Sequence, residues 1–315
     1  LDRSGYDPEP AVSLQRTFVE LAKDRKTGWL EGLFSSHPPS QARVEANRET
    51  AAKLGYGGRL GEDSFDRAMA YLRSKDEAYE AFDEAHRLAT KNELDAAMSQ
   101  IDHALAIEPR EARFYGLKGD IHFAGDEYRL AERQFTEAVQ RDPAYYEYYL
   151  GRGLARARLG NPESARRDLE RSNELLPTAI ANNELGKISL AAGNRDDALE
   201  HFKLAMEAPG KLGQQATINY VRLDLPENPN KYIAVQVALT RSNTLVAMIR
   251  NRTDLQLGDI DVAFEINVNG ETLRRVVTAG TLDSSGQRQV NSGWQFSSTD
   301  VLASPQISVV RARVL

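Results

Sequence analysis

One arrangement of apolar and small residues recurs four times along the middle of the chain. Ala97, Ala131, Ala165 and Ala198 stand 34, 34 and 33 residues apart, and Ile101, Phe135, Leu169 and Phe202 follow them by four. Ala104, Ala138, Ser172 and Ala205 come three residues later again. Upstream, Gly119, Gly153 and Gly186 lie twelve residues before their alanines, and Ala85 takes that place in the first unit. Offsets of four and seven put the three recurring positions on one face of a helix. Small residues at two of them admit a neighbouring helix closely, and the large one fills the gap. The earlier glycine serves the same contact on a preceding helix. Pro109, Pro143 and Pro177 close the first three units, and Pro209 sits one residue from its expected place; proline cannot continue the hydrogen-bond ladder. Asn161 before Pro162, and Asn194, are N-cap signals for second helices. The spacing predicts four helix pairs over about residues 76–210.

Beyond Pro209 the period changes. The runs 232–240, 244–253, 260–268, 272–280, 289–296 and 306–314 are β-branched and largely alternating, with turn residues between them. Asn269-Gly270 is a hairpin signal, because a type I′ turn needs positive φ at both places. The expectation is a small β-sandwich over 211–315, with a barrel as the alternative. Asp259, Asp261 and Glu265 read as turn and surface acids.

The first 75 residues are helical in pattern. Asp7 reads as an N-cap with Pro8 in the first turn, after which Ala11, Leu14, Phe18 and Leu21 line one face. A loop, "SSHPPSQAR", leads to a second helix capped by Ser40, and 56–75 reads as a linker helix region. Pro38 and Pro39 stiffen that loop around His37. An imidazole held there suits metal ligation or proton transfer, and Arg43 could clamp a carboxylate or an oxyanion. The plainer reading is a solvated loop histidine, with Arg43 paired to Glu31 or Glu45.

Composition narrows the classes. The chain has 315 residues, room for about two domains at roughly 100–200 residues each. An apolar share of 41% and a mean hydropathy of −0.52 argue for a soluble protein. No run approaches the roughly 18–20 apolar residues needed to span a bilayer. Cysteine is absent, which excludes disulfides and thiol chemistry. Residues 76–208 carry 26 acidic against 17 basic side chains, which disfavours nucleic acid as a partner. "AYYEYYLGR" places Tyr145, Tyr146, Tyr148 and Tyr149 at the start of a first helix. They read either as an aromatic contact patch for a partner or as packing, with Tyr149 and Tyr145 between helices and the others on the surface. His103, His122 and His201 read as surface or packing residues. The chain opens on Leu1, as a mature product, a fragment or a recombinant product does.

The repeat resembles the tetratricopeptide family. That family's first-helix aromatic is Tyr115 and Tyr149 in two units but Ala81 and Asn182 in the outer two, so the outer units read as degenerate or capping. Such an array implies a protein or peptide partner in its groove. The stretch "IRNRTDLQLGDIDVAFEINVNGET" looks like adhesion-type or FxLYD-like sandwich modules of bacterial envelope proteins. Gly5-Tyr6-Asp7-Pro8, then Ser36-His37-Pro38, then Arg43, are similar to the segment after the zinc site of HtpX-like metallopeptidases, which include the CAAX prenyl proteases. The BepA-like branch carries a tetratricopeptide array behind its protease. In that family an H-E-x-x-H helix and a later glutamate hold zinc, and no H-E-x-x-H occurs here. The resemblance therefore implies the non-catalytic carboxy-terminal part of a periplasmic zinc metalloendopeptidase. Its fold would be multidomain α + β: a helical remnant of a zincin domain over 1–55, a tetratricopeptide solenoid, and an all-β sandwich. Zinc would belong to the parent alone, with His37 as a gate or auxiliary ligand and Arg43 as an active-site neighbour. Envelope assembly proteins are the partners implied. The alternative is a free-standing tetratricopeptide adaptor without protease activity.

Overall fold

The computed structural model describes residues 5–23, 40–55 and 57–315. Its backbone divides into two compact units, Leu1–Tyr79 and Glu80–Leu315. In the first unit α1 (Glu9–Lys23) packs on α2 (Gln41–Leu54), and α3 (Glu62–Arg73) follows. Val12, Val44 and Ala51 are buried together, with Val19 against them. The face expected from Ala11, Leu14, Phe18 and Leu21 is not the buried one: Leu14 and Leu21 are 52% and 43% exposed. Val12 lies one residue, about 100° of helix, from Ala11, and the partner helix covers that side. Asp7 sits just ahead of α1. One carboxylate oxygen accepts the Glu9 N–H at 2.8 Å and the other accepts the Gly57 N–H at 3.0 Å. Those two bonds hold its carboxyl below the usual range.

The array runs through α4 (Asp76–Thr90), α5 (Leu94–Ile107), α6 (Ala112–Ala124), α7 (Tyr128–Arg141), α8 (Tyr146–Arg158), α9 (Pro162–Leu175), α10 (Ala179–Ala191) and α11 (Arg195–Ala205). All twelve repeated second-helix positions are buried. The glycines explain how close the helices come. A methyl group on Gly119 would stand 2.8 Å from the Phe135 ring, and one on Gly186 would stand 2.6 Å from Phe202. No side chain but hydrogen fits at either place. Asn161 and Asn194 occupy N-cap positions, yet neither side chain makes a capping bond; Thr178 does, accepting the Ala181 N–H at 3.2 Å.

Buried charge ties neighbouring repeats together. Asp168 accepts two bonds of 2.8 Å from Arg152 and one of 2.7 Å from Arg156, which in turn reaches Glu132 at 2.7 Å. His122 meets Glu127 at 2.6 Å, and His201 meets Asn182 at 3.3 Å, so both imidazoles serve packing.

Residues 211–232, read as the start of the sandwich, instead hold two helices, α12 (Gly210–Asp224) and the short α13 (Pro229–Tyr232), joined by a turn. Helix α12 packs on α11 on one side. On the other, Val221 and Leu225 enter the core of the β domain. The strands are β1 (Ile233–Leu239), β2 (Thr244–Asn251), β3 (Leu257–Val268), β4 (Glu271–Leu282), β5 (Gln287–Gln295) and β6 (Gln306–Val314). They form two antiparallel sheets, ordered β1-β2-β5 and β4-β3-β6. Alternate residues of both sheets, among them Leu245, Ala247, Ile249, Val262, Phe264 and Val309, share one core, the arrangement of a sandwich. Asn269 and Gly270 have φ of 54° and 91°, both positive as the hairpin signal requires. Asp259, Asp261 and Glu265 pair across strands with Arg313, Arg311 and Arg274.

Candidate functional site: a groove along the first helices of the array

The repeat register builds the groove. Counted from the small residue of each first helix, positions −3, −2 and +1 are Phe82, Asp83 and His86 on α4. On α6 they are Gly116, Leu117 and Asp120, and on α8 they are Leu150, Gly151 and Leu154. All nine line one cavity of about 600 Å³. Position −6 adds Arg113, Glu147 and Ile180 from three successive first helices. These offsets share one helix face, and stacking the repeats aligns that face from α4 to α10.

Aromatic rings stand along its walls. Phe82 stacks on Phe114 with centroids 5.2 Å apart, and the Arg113 guanidinium lies 5.0 Å from the Phe82 ring centre. Tyr145 meets Tyr148 edge-on at 4.9 Å and Tyr146 at 5.6 Å. The four tyrosines divide differently from the packing reading. Tyr148 is the buried one, seated with Ala112 and Ala138 and filling the space that Gly116 leaves. Tyr149 is half-buried, with Arg152 and Arg171 within 5.5 Å and 5.9 Å of its ring centre. Tyr145 and Tyr146 keep surface in the groove. Burial pushes the Tyr145 hydroxyl up to about 12, with Glu147 adding to the shift. The Tyr146 hydroxyl donates to Glu147 at 2.9 Å.

Asp120, like Phe82, Asp83 and Glu147, is a groove residue that the sequence reading did not single out. Its side chain keeps solvent-accessible surface, as an ordinary aspartate does, yet protein atoms crowd it on the remaining sides. The concavity accounts for both facts. That crowding raises its carboxyl to about 7, and repulsion from Glu147 adds to it. The signal was present in the repeat: Asp120 directly follows the recurring glycine, as His86 and Leu154 follow the small residues of their own helices.

The other candidates fall elsewhere. His37 lies outside the described residues. Arg43 is exposed in the first turn of α2, where its N–H donates to the Ser40 hydroxyl at 3.3 Å. Glu45, one of its expected partners, pairs instead with Arg48 at 2.8 Å. Among the described residues no group of three or more His, Asp or Glu side chains could hold a metal ion, so these residues do not fit a zinc site. No helix among them is long and apolar enough to cross a membrane.

No protein-family model matches the chain, and no curated protein matches it. Solved structures do. The first tetratricopeptide domain of Spaghetti (RPAP3), bound to the HSP90 peptide SRMEEVD, is 27% identical over 38% of this chain and 95% of that one, with a TM-score of 0.37. YrrB, a tetratricopeptide protein described as having an unusual peptide-binding site, is 24% identical over 50% of this chain and 81% of its own, with a TM-score of 0.42. TTC0263, a thermophilic tetratricopeptide protein of Thermus thermophilus, is 20% identical over 59% of this chain and 94% of its own, with a TM-score of 0.41. The chain contains a tetratricopeptide-like array. That statement stands on the repeat spacing and the helix pairs it produces.

Proposed function

We propose that the chain is a protein-interaction scaffold whose array docks a segment of a partner protein in the groove. The single observation behind this reading is the register. Each of the first three units sends its −3, −2 and +1 positions to one cavity, where the half-buried Phe82, Leu150 and Leu154 stand beside the exposed Asp83, His86 and Asp120. A surface shaped for burial alone would not keep Tyr145 39% exposed beside two further tyrosines. Aromatic anchors in a concave, partly apolar site are where binding energy concentrates.

Random peptides displayed on phage would be selected on the immobilised full chain, and the selected sequences measured by fluorescence anisotropy. Tyr146→Ala and Ile180→Glu should each weaken binding by about tenfold, the scale of a hot-spot loss. Val276→Glu, on an exposed position of β4, should leave it unchanged. Selection of no peptide, or affinities indifferent to the two groove variants, would overturn the reading.

The finer reading places this scaffold in the carboxy-terminal part of a periplasmic zinc metallopeptidase that it supplies with substrates or envelope partners. It is supported by the resemblance of residues 1–55 and by nothing in the groove.

A further inference from the structure

The carboxylates of the array differ in what meets them. Away from the groove, Asp168 is clamped by Arg152 and Arg156, Glu132 by Arg156, and Asp102 by Lys118 at 2.6 Å. Inside it, Asp83 and Asp120 have no hydrogen-bond or ion-pair partner among the described residues, and Glu147 has only the hydroxyls of the tyrosines beside it. Three carboxylates thus share the groove with one arginine, and that arginine already covers the Phe82 ring. Acids such as Glu163 and Glu200 stand on the open surface, where water solvates them; these three lie together in a concavity that a partner segment would fill.

Resting on the groove reading above, we propose that the occupant is a polypeptide segment that presents a lysine or arginine to Asp83, Asp120 and Glu147. Its apolar neighbours lie against Phe82, Tyr146 and Ile180. The chemistry is complementary on two counts. A cation supplies the charge that the carboxylates lack, and a long aliphatic stem or a planar guanidinium packs on aromatic faces. A metal ion does not fit, because these oxygens do not converge as a ligand set. The apolar surface running from α4 to α10 calls for a chain longer than a single cationic group. The raised titration of Asp120 agrees with this: the folded protein keeps a crowded carboxylate at some expense to itself, and an incoming cation relieves it.

The test uses the full chain and two fluorescein-labelled probes of equal length, ALKALRLA and ALEALELA, followed by anisotropy at low salt. The basic probe should bind more tightly by about tenfold, the advantage expected of matched over mismatched charge. Asp120→Asn combined with Glu147→Gln should remove that advantage while circular dichroism shows an unchanged fold. Asp196→Asn, which deletes a charge that is almost fully exposed outside the groove, should leave it intact. Equal or better binding of the acidic probe overturns the proposal, and so does an Asp196→Asn effect as large as that of the double variant. Tyr146→Ala separates the two levels of the argument. If it weakens whichever probe binds, the groove is a docking site even where the charge assignment fails; if it weakens neither, the docking reading falls as well.

Discussion

The array and the sandwich bury their apolar residues in different ways. The sandwich gathers Val221 to Ala312 into one continuous cluster drawn from both sheets and α12, and sets its cross-strand pairs Glu265–Arg274 and Asp259–Arg313 outside. The array holds smaller separate clusters, such as Ala165, Leu169, Ala181, Leu185 and Ile188, or Ala131, Phe135 and Ala155. Between them run buried polar links: the Asp168 clamp, the Ser172 hydroxyl donating to the Tyr146 carbonyl at 3.1 Å, and Asn173 donating to Asn182 at 3.0 Å. A repeat contacts only its neighbours, so its interfaces are narrow and their register rests on specific polar contacts. The β domain confines its buried polar links to its margins, where Asn251 donates to the Leu255 and Asp283 carbonyls and Asp224 accepts from Tyr232 and Lys231. The array should therefore be vulnerable to the loss of a buried charge such as Asp168, whereas the exposed cross-strand pairs of the sandwich can be deleted at little cost.

The largest effect tests whether the small clusters carry the array at all. Phe135→Ala removes the ring on which Gly119 and Gly151 close, and should cost about 3–5 kcal/mol by urea unfolding. A value below about 1 kcal/mol, that of a tolerated core swap, would mean the repeats are held otherwise.

Next comes the paired contrast between charges. Asp168→Ala leaves two arginines facing a buried site, a loss of about 3 kcal/mol. Glu265→Ala breaks an exposed cross-strand pair with Arg274 and should cost less than about 1 kcal/mol. Equal losses would erase the distinction drawn above.

The smallest effect is set by pH. Asp120 binds its proton more tightly when folded than its ordinary 3.8, so folded stability falls as pH rises from about 4, and the full cost is present above about 7. The charged and titratable groups that share the groove with it are Asp83 and His86 on α4, Arg113 on its own helix, Tyr145 just ahead of α8, and Tyr146, Glu147 and Tyr148 on α8. Asp120→Asn should raise the melting temperature at pH 8 by a few degrees and leave it nearly unchanged at pH 4. The same gain at both values would mean that crowding does not act through charge.

How much was legible follows from the range of the interactions. The repeat was readable because its contacts are written at fixed local offsets, and the 269–270 turn because two positive φ angles demand those residue types. The buried face of α1 was not readable. Leu14 with Leu21 and Val12 with Val19 are equally good helical stripes, and only the partner helix chooses between them. The phase of α8 was misleading for a related reason. Tyr148 goes inside because Gly116, on another helix, leaves room there, whereas Tyr149 faces arginines. The cost carried by Asp120 depends on three helices meeting, which no single stretch of sequence displays.

Helix α12 has a consequence for anyone handling the protein in pieces. It lends one flank to the last repeat and Val221 and Leu225 to the β core, so no clean seam lies between the two halves. Cutting the chain at Gly210 would leave α11 uncovered and, on the other fragment, a helix without its support. The excision that respects the molecule keeps 210–232 with both neighbours, so the array and its β partner should be expressed, crystallised and evolved as one inseparable piece.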